Sequence, residues 1–302
     1  MYNLNNLSIV IVTFLTDKKT LLNCLQSINK NVRIIIVENS KKFKHLEFFS
    51  KKFKNLEIYC TGKNLGYGGG NNFGLKRVRT DFALILNPDA ILDQSFLRNV
   101  NLLLYNRSFS LIGCELLKNR GFATGGFFNS KKNDSFKKNF ISIKREKLTK
   151  VDWVTGSSML LNLRKLKKKN IFDENFFLYF EEFDFCKFLK NKKQNVYLSN
   201  SLKVNHLGFK SSSLDVSNFK IEAEKLRNWH WMWSFFYFHK KNYNFFYAIF
   251  KTINKLFTSF IKLIFFFILF DKENYNKYLY RFLGLGSSMI GLKSFYRGKY
   301  FN

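Results

Sequence analysis

Leu84-Ile85-Leu86-Asn87-Pro88-Asp89-Ala90 contains the only proline of the 302-residue chain, set directly after an apolar run and directly before a carboxylate. A run from Phe82 to Leu86 closed by a residue without a backbone N–H predicts a buried strand with a forced exit. Asp89 is then held at the strand's carboxyl end. Open α/β sheets bind ligands at that edge, so the carboxylate is placed to face a metal or a substrate. The same residues also fit an ordinary turn, with Asp89 capping a helix over Gln94 to Leu104.

Upstream, Leu7 to Phe14 (LSIVIVTF) is a short β-branched run, and Lys18 to Ile28 follows with apolar residues at helical spacing. Arg33 to Val37 predicts a second buried strand, ending in Glu38-Asn39-Ser40, and Leu56 to Cys60 a third. Strands alternating with helices predict an α/β domain with a mostly parallel sheet. After the third strand comes a glycine-rich run, Asn64-Leu65-Gly66-Tyr67-Gly68-Gly69-Gly70-Asn71-Asn72-Phe73-Gly74. It fails the dinucleotide fingerprint, because Asn71 and Phe73 stand where the third glycine is required. It also fails the P-loop, because Leu75 stands where lysine is required. What remains is a loop able to approach another group closely, leading into a helix over Asn71 to Val78.

Downstream, residues 111–150 read as irregular, and we expect a mobile loop over the site. Val151 to Leu163 resumes as an apolar segment interrupted by Thr155-Gly156-Ser157-Ser158. The aromatic run Phe176 to Phe188 carries Glu181, Glu182 and Asp184; on a helix Glu181 and Asp184 share a face. Such acids suit a helix N-terminus, and three of them within four residues of a basic chain equally suit a reactive site. Val196 to Leu198 and Leu202 to Val204 are short strand candidates leading to His206; a lone histidine is as readily a structural residue as a ligand. From Phe219 onward the pattern is helical and aromatic. A composition shift near Ser211 to Ser217 divides the chain into residues 1–215 and 216–302.

A hydrophobic fraction of 46% supports a real core, and the net charge of +30 permits an anionic partner. Lys, Asn, Phe and Ile are abundant while Pro is nearly absent, as an AT-rich coding sequence would produce, so charge alone does not assign that partner. Cys24, Cys60, Cys114 and Cys186 form no C-x-x-C pair and are expected to be core thiols in a reducing compartment. The chain opens without a basic and apolar leader, so a cytoplasmic location is expected. Over Tyr247 to Phe270, Lys251, Lys255 and Lys262 share one helical face, and Ile253, Phe257, Phe260 and Ile264 the opposite one. The longest uncharged stretch there, Leu263 to Phe270, has eight residues, short of the about 20 of a spanning helix. This helix is expected to lie in a membrane surface or to pack on the core.

Taken in order, SIVIVTF, IVENS, NLGYGGGNNFG, FALILNPDA, TGSSMLL, FDENFFLYFEEFDFC and VNHLGFKSS, from about residue 7 to 213, resemble the family 2 glycosyltransferases, in particular their rhamnosyltransferase-like branch. The resemblance implies a GT-A fold, an α/β nucleotide-sugar-binding catalytic domain (1–215), with an aromatic-rich helical region (216–302) appended. It implies transfer of a sugar, rhamnose in that branch, with inversion, from a nucleotide-diphosphate donor to a hydroxyl of a glycan or lipid-linked glycan in cell-surface polysaccharide synthesis. Asp89 and His206 would hold a divalent ion, Mg or Mn, that neutralises the leaving diphosphate. Thr13, Glu38, Asn64, Gly66, Asn87 and Asp89 would bind the donor, Glu38 at the nucleobase edge. Glu182 would be the base on the acceptor hydroxyl, with Glu181 and Asp184 beside it. The chain departs from the family at Leu15, where Asn is frequent, at Glu38, where Asp is common, and at Glu181-Glu182, where Glu-Asp is common. Asn-Pro-Asp also carries one carboxylate fewer than the D-x-D of other GT-A enzymes. The enzyme is expected on the inner face of the membrane, without nucleic acid. A basic nucleic-acid binder lacks an RNP-like or paired-cysteine motif here, and a sugar nucleotidyltransferase lacks its glycine-rich phosphate loop after the first strand.

Overall fold

A computed structural model describes residues 4–28, 31–104, 108–117, 124–128, 140–143, 146–167, 170–206 and 217–300. The expected boundary at 215/216 lies outside them, as do residues 118–123 and 129–139 of the expected mobile loop. Two compact units interleave along the chain: one of Met1–Lys63, Gly69–Phe172 and Phe185–Ser213, the other of Asn64–Gly68, Asp173–Asp184 and Leu214–Asn302.

The first unit is built on strands β1 (Leu7–Thr13), β2 (Arg33–Glu38), β3 (Leu56–Cys60), β4 (Phe82–Leu86), β5 (Ala90–Leu92), β6 (Leu111–Leu117), β7 (Gly125–Gly126), β8 (Phe140–Ile143), β9 (Glu146–Lys150), β10 (Trp153–Val154), β11 (Ser158–Asn162) and β12 (Val196–His206). Helices α1 (Lys18–Gln26), α2 (Leu46–Lys52), α3 (Gly66–Leu75), α4 (Phe96–Leu104), α5 (Leu163–Leu166) and α6 (Glu181–Asn191) connect them, α3 and α6 each running into the second unit's segments. The main sheet runs β3-β2-β1-β4-β11-β6-β12-β9-β8, with β5 added to β12; β7 and β10 pair separately. Pairing is parallel across β3-β2-β1-β4 and between β6 and β12, and antiparallel elsewhere, so the expected α/β sheet is mixed beyond β4.

Strands covered on both faces read as unbroken apolar runs, which is why β1, β2 and β4 were legible. Ile9, Ile11, Ile34, Ile36, Leu84 and Leu86 turn one way, onto Leu21 and Leu25 of α1, Phe49 of α2 and Phe96 and Val100 of α4. Helix α1 starts where the Asp17 side chain accepts from Thr20 N, 2.9 Å. On the other face the glycine run corrects the expected loop. It is helical from Gly66, and a Cβ on Gly70 would meet Val12 Cγ1 at 2.7 Å, one on Gly74 Val10 Cγ1 at 2.5 Å. Spaced four apart, these glycines share a helix face and let the backbone lie against β1. They serve helix-to-sheet packing rather than a ligand.

Three further expectations change. Residues 111–150 are not irregular throughout, since β6 is a seven-residue strand inside the sheet. The two short strands after Val196 are one strand, β12, whose register against β6 shifts between Ser199 and Lys203. Of the four thiols, Cys24, Cys114 and Cys186 are buried, but Cys60 at the end of β3 is exposed.

The second unit holds three long helices, α7 (Ser217–Asn242), α8 (Phe245–Ile268) and α9 (Lys272–Met289). A Cβ on Gly284 of α9 would lie 2.2 Å from Trp229 O of α7, so glycine permits that close crossing. Ser288 Oγ donates to Trp233 O, and Trp233 Nε1 to Leu292 O. Met232, Phe236, Ala248 and Leu285 form a small core among the three helices.

Candidate active site

Parallel registers place Thr13 opposite Glu38 at the carboxyl edges of β1 and β2, with β4 ending on the other side of β1. Thr13 Oγ1 donates to Glu38 Oε2 at 2.6 Å, and Asn39 N donates to Thr13 O at 2.7 Å. Glu38 is buried. Burial pushes its carboxyl above the ordinary range, opposed by hydrogen bonds from Thr13, Ser40 and Leu15 N–H and by the nearby Lys44 charge. Leu15 adopts φ 48°, a left-handed conformation that Asn adopts at lower cost than Leu, which gives a physical sense to the family's frequent Asn there.

After β4 the chain turns once. Asn87 N donates to Ser157 O at 2.9 Å, and Ala90 N donates to Asn87 O at 3.1 Å, enclosing Pro88 and Asp89 as the central residues of a β-turn. Asp89 does not cap a helix, because β5 intervenes and α4 starts beyond Asp93, whose carbonyl accepts from Phe96 N. Ala90 lies opposite His206 in the β5–β12 pairing. That register brings His206 Nε2 to 3.2 Å from Asp89 Oδ1 and 3.4 Å from Asn87 Nδ2. The Asp89 side chain is 1% exposed, that of His206 23%.

A carboxylate and an imidazole 3.2 Å apart suit one divalent ion, since neighbouring ligands at about 2.1 Å from an octahedral centre are separated by about 3.0 Å. No group of three or more His, Cys, Asp or Glu among the described residues could hold a metal alone. Asp89 and His206 are two donors of the right kind, and any further ligands would have to come from outside this set.

Glu181, Glu182 and Asp184 belong to the second unit and open α6. Tyr179 and Phe180 before them both take left-handed φ, 69° and 70°, the kind of strain that clusters at functional sites. Glu181 is 4% exposed, and its Oε2 has no hydrogen-bond partner. Burial first, and the Glu182 charge second, push its carboxyl well above the ordinary range. Glu182 is half-buried. Asp184 spends both oxygens on α7, accepting from Lys241 Nζ at 2.6 Å and Asn242 Nδ2 at 2.8 Å. In the same unit Asn64 Oδ1 accepts from Gly66 N at 3.0 Å, and Gly66, at φ 75°, lies where a Cβ would meet Phe177 O at 2.1 Å.

Some contributors carry no role in the sequence reading. Ser157 supplies the carbonyl that fixes Asn87, and only the break in TGSS hinted at it. Asn72 is fully buried and bonds Phe172 O, Ile171 N and Phe172 N; an amide inside a glycine helix was the signal. Lys241, shared between Asp184 and Asp173 at 2.6 and 2.7 Å, gave none.

A parallel sheet edge carrying Thr13, Glu38, Asn87 and Asp89, closed by an antiparallel extension that returns His206, defines a GT-A-type glycosyltransferase fold. Residues 8–168, more than half of the chain, match the family described as Glycosyl transferase family 2, and the protein belongs to that family of glycosyltransferases. The low-salt glycan biosynthesis hexosyltransferase Agl10 of Haloferax volcanii is 24% identical over 210 residues. That stretch covers 64% of this chain and 64% of Agl10, less than two thirds of either. Among solved structures, the mannosyltransferase PcManGT from Pyrobaculum calidifontis, in complex with GDP-Man and Mn2+, is similar with a TM-score of 0.53 at 10% identity, over 94% of this chain and 86% of that one. S. aureus TarS 1-349 is similar with a TM-score of 0.52 at 12% identity, over 98% and 99%. At such identities the structural likeness concerns the fold.

Proposed function

We propose that this protein transfers a hexosyl residue, rhamnose in the branch it resembles, from a nucleotide-diphosphate sugar to a hydroxyl of a glycan or lipid-linked glycan in cell-surface polysaccharide synthesis, with inversion at the anomeric carbon. The observation that carries this proposal is the Asp89–His206 pair, its carboxylate buried and its imidazole half-buried, 3.2 Å apart at the sheet edge of a family 2 glycosyltransferase. Asp89 and His206 would hold a divalent ion, Mn or Mg, which when bound neutralises charge on the leaving diphosphate; Mn2+ accompanies GDP-Man in PcManGT. Thr13 and Glu38 would receive the nucleoside, with Asn64, Gly66 and Asn87 lining the donor.

In a single displacement, the acceptor oxygen forms its bond to the anomeric carbon as the bond to the diphosphate oxygen breaks. Glu182 would take the acceptor proton, and the nucleoside diphosphate leaves with the bonding pair. The two glutamates divide the work by environment. Burial holds the Glu181 carboxyl well above the ordinary range, which disfavours it as the base and suits it to positioning, while Glu182 beside it is half-buried and open to the acceptor. Asp184 anchors the segment through Lys241 and Asn242. We place the enzyme peripherally on the inner membrane face, where a lipid-linked acceptor would be met; no helix among the described residues is long and apolar enough to cross a membrane.

A thermal-shift screen of nucleotide sugars, with and without Mn2+ or Mg2+, tests this. The true donor at 100 times its dissociation constant should add about 2.7 kcal/mol of stability, and only with metal. Failure of every nucleotide sugar to stabilise the protein would refute the proposal.

A further inference from the structure

Helix α8 is built inside out. At 100° per residue, Phe246, Phe250, Phe257, Ile261, Ile264 and Ile268 fall within about 60° of one another, and they are 45% to 83% exposed. The opposite side carries Ala248, Thr252 and Ser259, which are the buried residues of this helix. A helix folded against a core in water turns its large apolar side inward; here small residues face α7 and α9 and the phenylalanines face out. The exposed stripe runs to the helix end, where Phe267 is 67% and Phe270 89% exposed.

Directly beyond that end lies a cavity of about 240 Å³ between α7 and α9, lined by Lys220, Lys225, Lys272 and Lys277 together with Glu224 and Glu273. Lys272 is two residues past Phe270, and the rings of Phe267 and Tyr275 are 5.9 Å apart, so apolar tip and lysine cavity adjoin. Lys225 is engaged by Glu222 at 2.8 Å, outside the cavity lining. Lys251, Lys255 and Lys262, all exposed, lie on the far side of the helix from the stripe and do not line it.

From these two features together we infer that the helical unit docks on an anionic bilayer, the α8 stripe entering the acyl boundary while the lysine cavity takes the phosphate of a lipid headgroup. The inference deepens the peripheral attachment proposed above and rests on it. Charge selects the occupant. A second copy of the chain brings another +30 and is repelled, and a nucleic acid would leave the phenylalanines in water. A surface with apolar depth and an anionic face satisfies both features.

Flotation of the full chain with phosphatidylcholine vesicles, alone or containing phosphatidylglycerol, tests the inference. The wild type should float with the anionic vesicles and weakly with the neutral ones. Phe250→Glu with Phe257→Glu should abolish flotation on both. Lys272→Ala with Lys277→Ala should lower anionic partitioning by about five-fold per lysine and leave the neutral value unchanged. Lys41→Ala with Lys42→Ala, which removes equal charge elsewhere, should change it much less. All of these lysines are exposed or half-buried, and unchanged far-ultraviolet dichroism checks that each variant is folded. If the wild type stays at the bottom with both vesicles, attachment itself falls. Equal flotation on neutral and anionic vesicles, or equal losses in the two lysine pairs, leaves attachment standing and overturns the headgroup site. Release by inorganic phosphate at constant ionic strength assigns the cavity to free phosphate and overturns the lipid assignment. Sedimentation as a dimer without vesicles, abolished by the Phe250→Glu pair, assigns the stripe to a second copy and overturns it also.

Discussion

Phe96 of α4 and Phe250 of α8 are the same residue on two helices, one 0% and the other 74% exposed. In the first unit the sheet imposes an inside, and every large apolar residue of α4 except Leu102 and the half-buried Leu104 is drawn into it. In the helical unit the small core of Met232, Phe236, Ala248 and Leu285 takes only a narrow strip of α8 and leaves its phenylalanines facing out. Apolar composition alone therefore does not say where a surface is; the partner that covers it does.

The largest expected effect concerns the carboxylates that open α6. Glu182→Gln should lower transfer by about 10² to 10⁴ while donor binding is retained, as for removal of a general base. A larger loss in Glu181→Gln, measured side by side, exchanges the two roles.

The comparison of phenylalanines is broken or kept by a matched pair of substitutions. Phe96→Ala should cost about 3–5 kcal/mol in denaturant unfolding, the usual result for a buried phenylalanine. Phe250→Ala should stay within about 0.5 kcal/mol, as an exposed side chain does. Similar losses at both positions would mean that α8 is covered in the free protein.

Titration separates the units next. Burial, opposed by the hydrogen bond to Tyr296 O, holds the His230 imidazole down to about 3. A folded value below the unfolded one means stability present above about 6.5 and lost as pH falls toward 3. Three of the four tryptophans, Trp229, Trp231 and Trp233, are on α7, so their fluorescence should report loosening of the helical unit over that window. Glu181 acts with the opposite slope. Its folded value is raised, so the folded state keeps a proton the unfolded state loses, and stability falls as pH rises above about 4.3 toward the folded value. Glu181→Gln should raise the melting temperature at neutral pH and converge on the wild type near pH 4.

A modest effect is expected at Leu15. Relieving its left-handed strain with Leu15→Asn should add about 1 kcal/mol, read as a shift in the denaturant midpoint at constant slope.

What could be read in advance follows from how locally each feature is encoded. The strands Leu56–Cys60 and Phe82–Leu86 were legible to the residue because both faces of β4 are covered and turn residues punctuate the ends. The glycine helix was not, because its glycines answer to Val10, Val12 and Val37 on β1 and β2, far away in sequence. Strand β6 was lost for a similar reason, since its apolar run is short and its place is set by pairing with β11 and β12. At the site, the proline marked Asp89, but only the Ala90–His206 register shows how a histidine 117 residues on reaches that carboxylate. The anchoring role of Asp184 was invisible because Lys241 and Asn242 lie on another helix.

Asp89 carries the central claim, and metal-dependent donor binding tests it most directly. The donor that stabilises the wild type should be titrated calorimetrically into wild type and Asp89→Asn, with Mn2+ and with chelator. The account predicts metal-dependent binding in the wild type, and in the variant a loss of the metal-dependent part with an unchanged melting temperature of the free protein. Undiminished metal dependence in Asp89→Asn would contradict it.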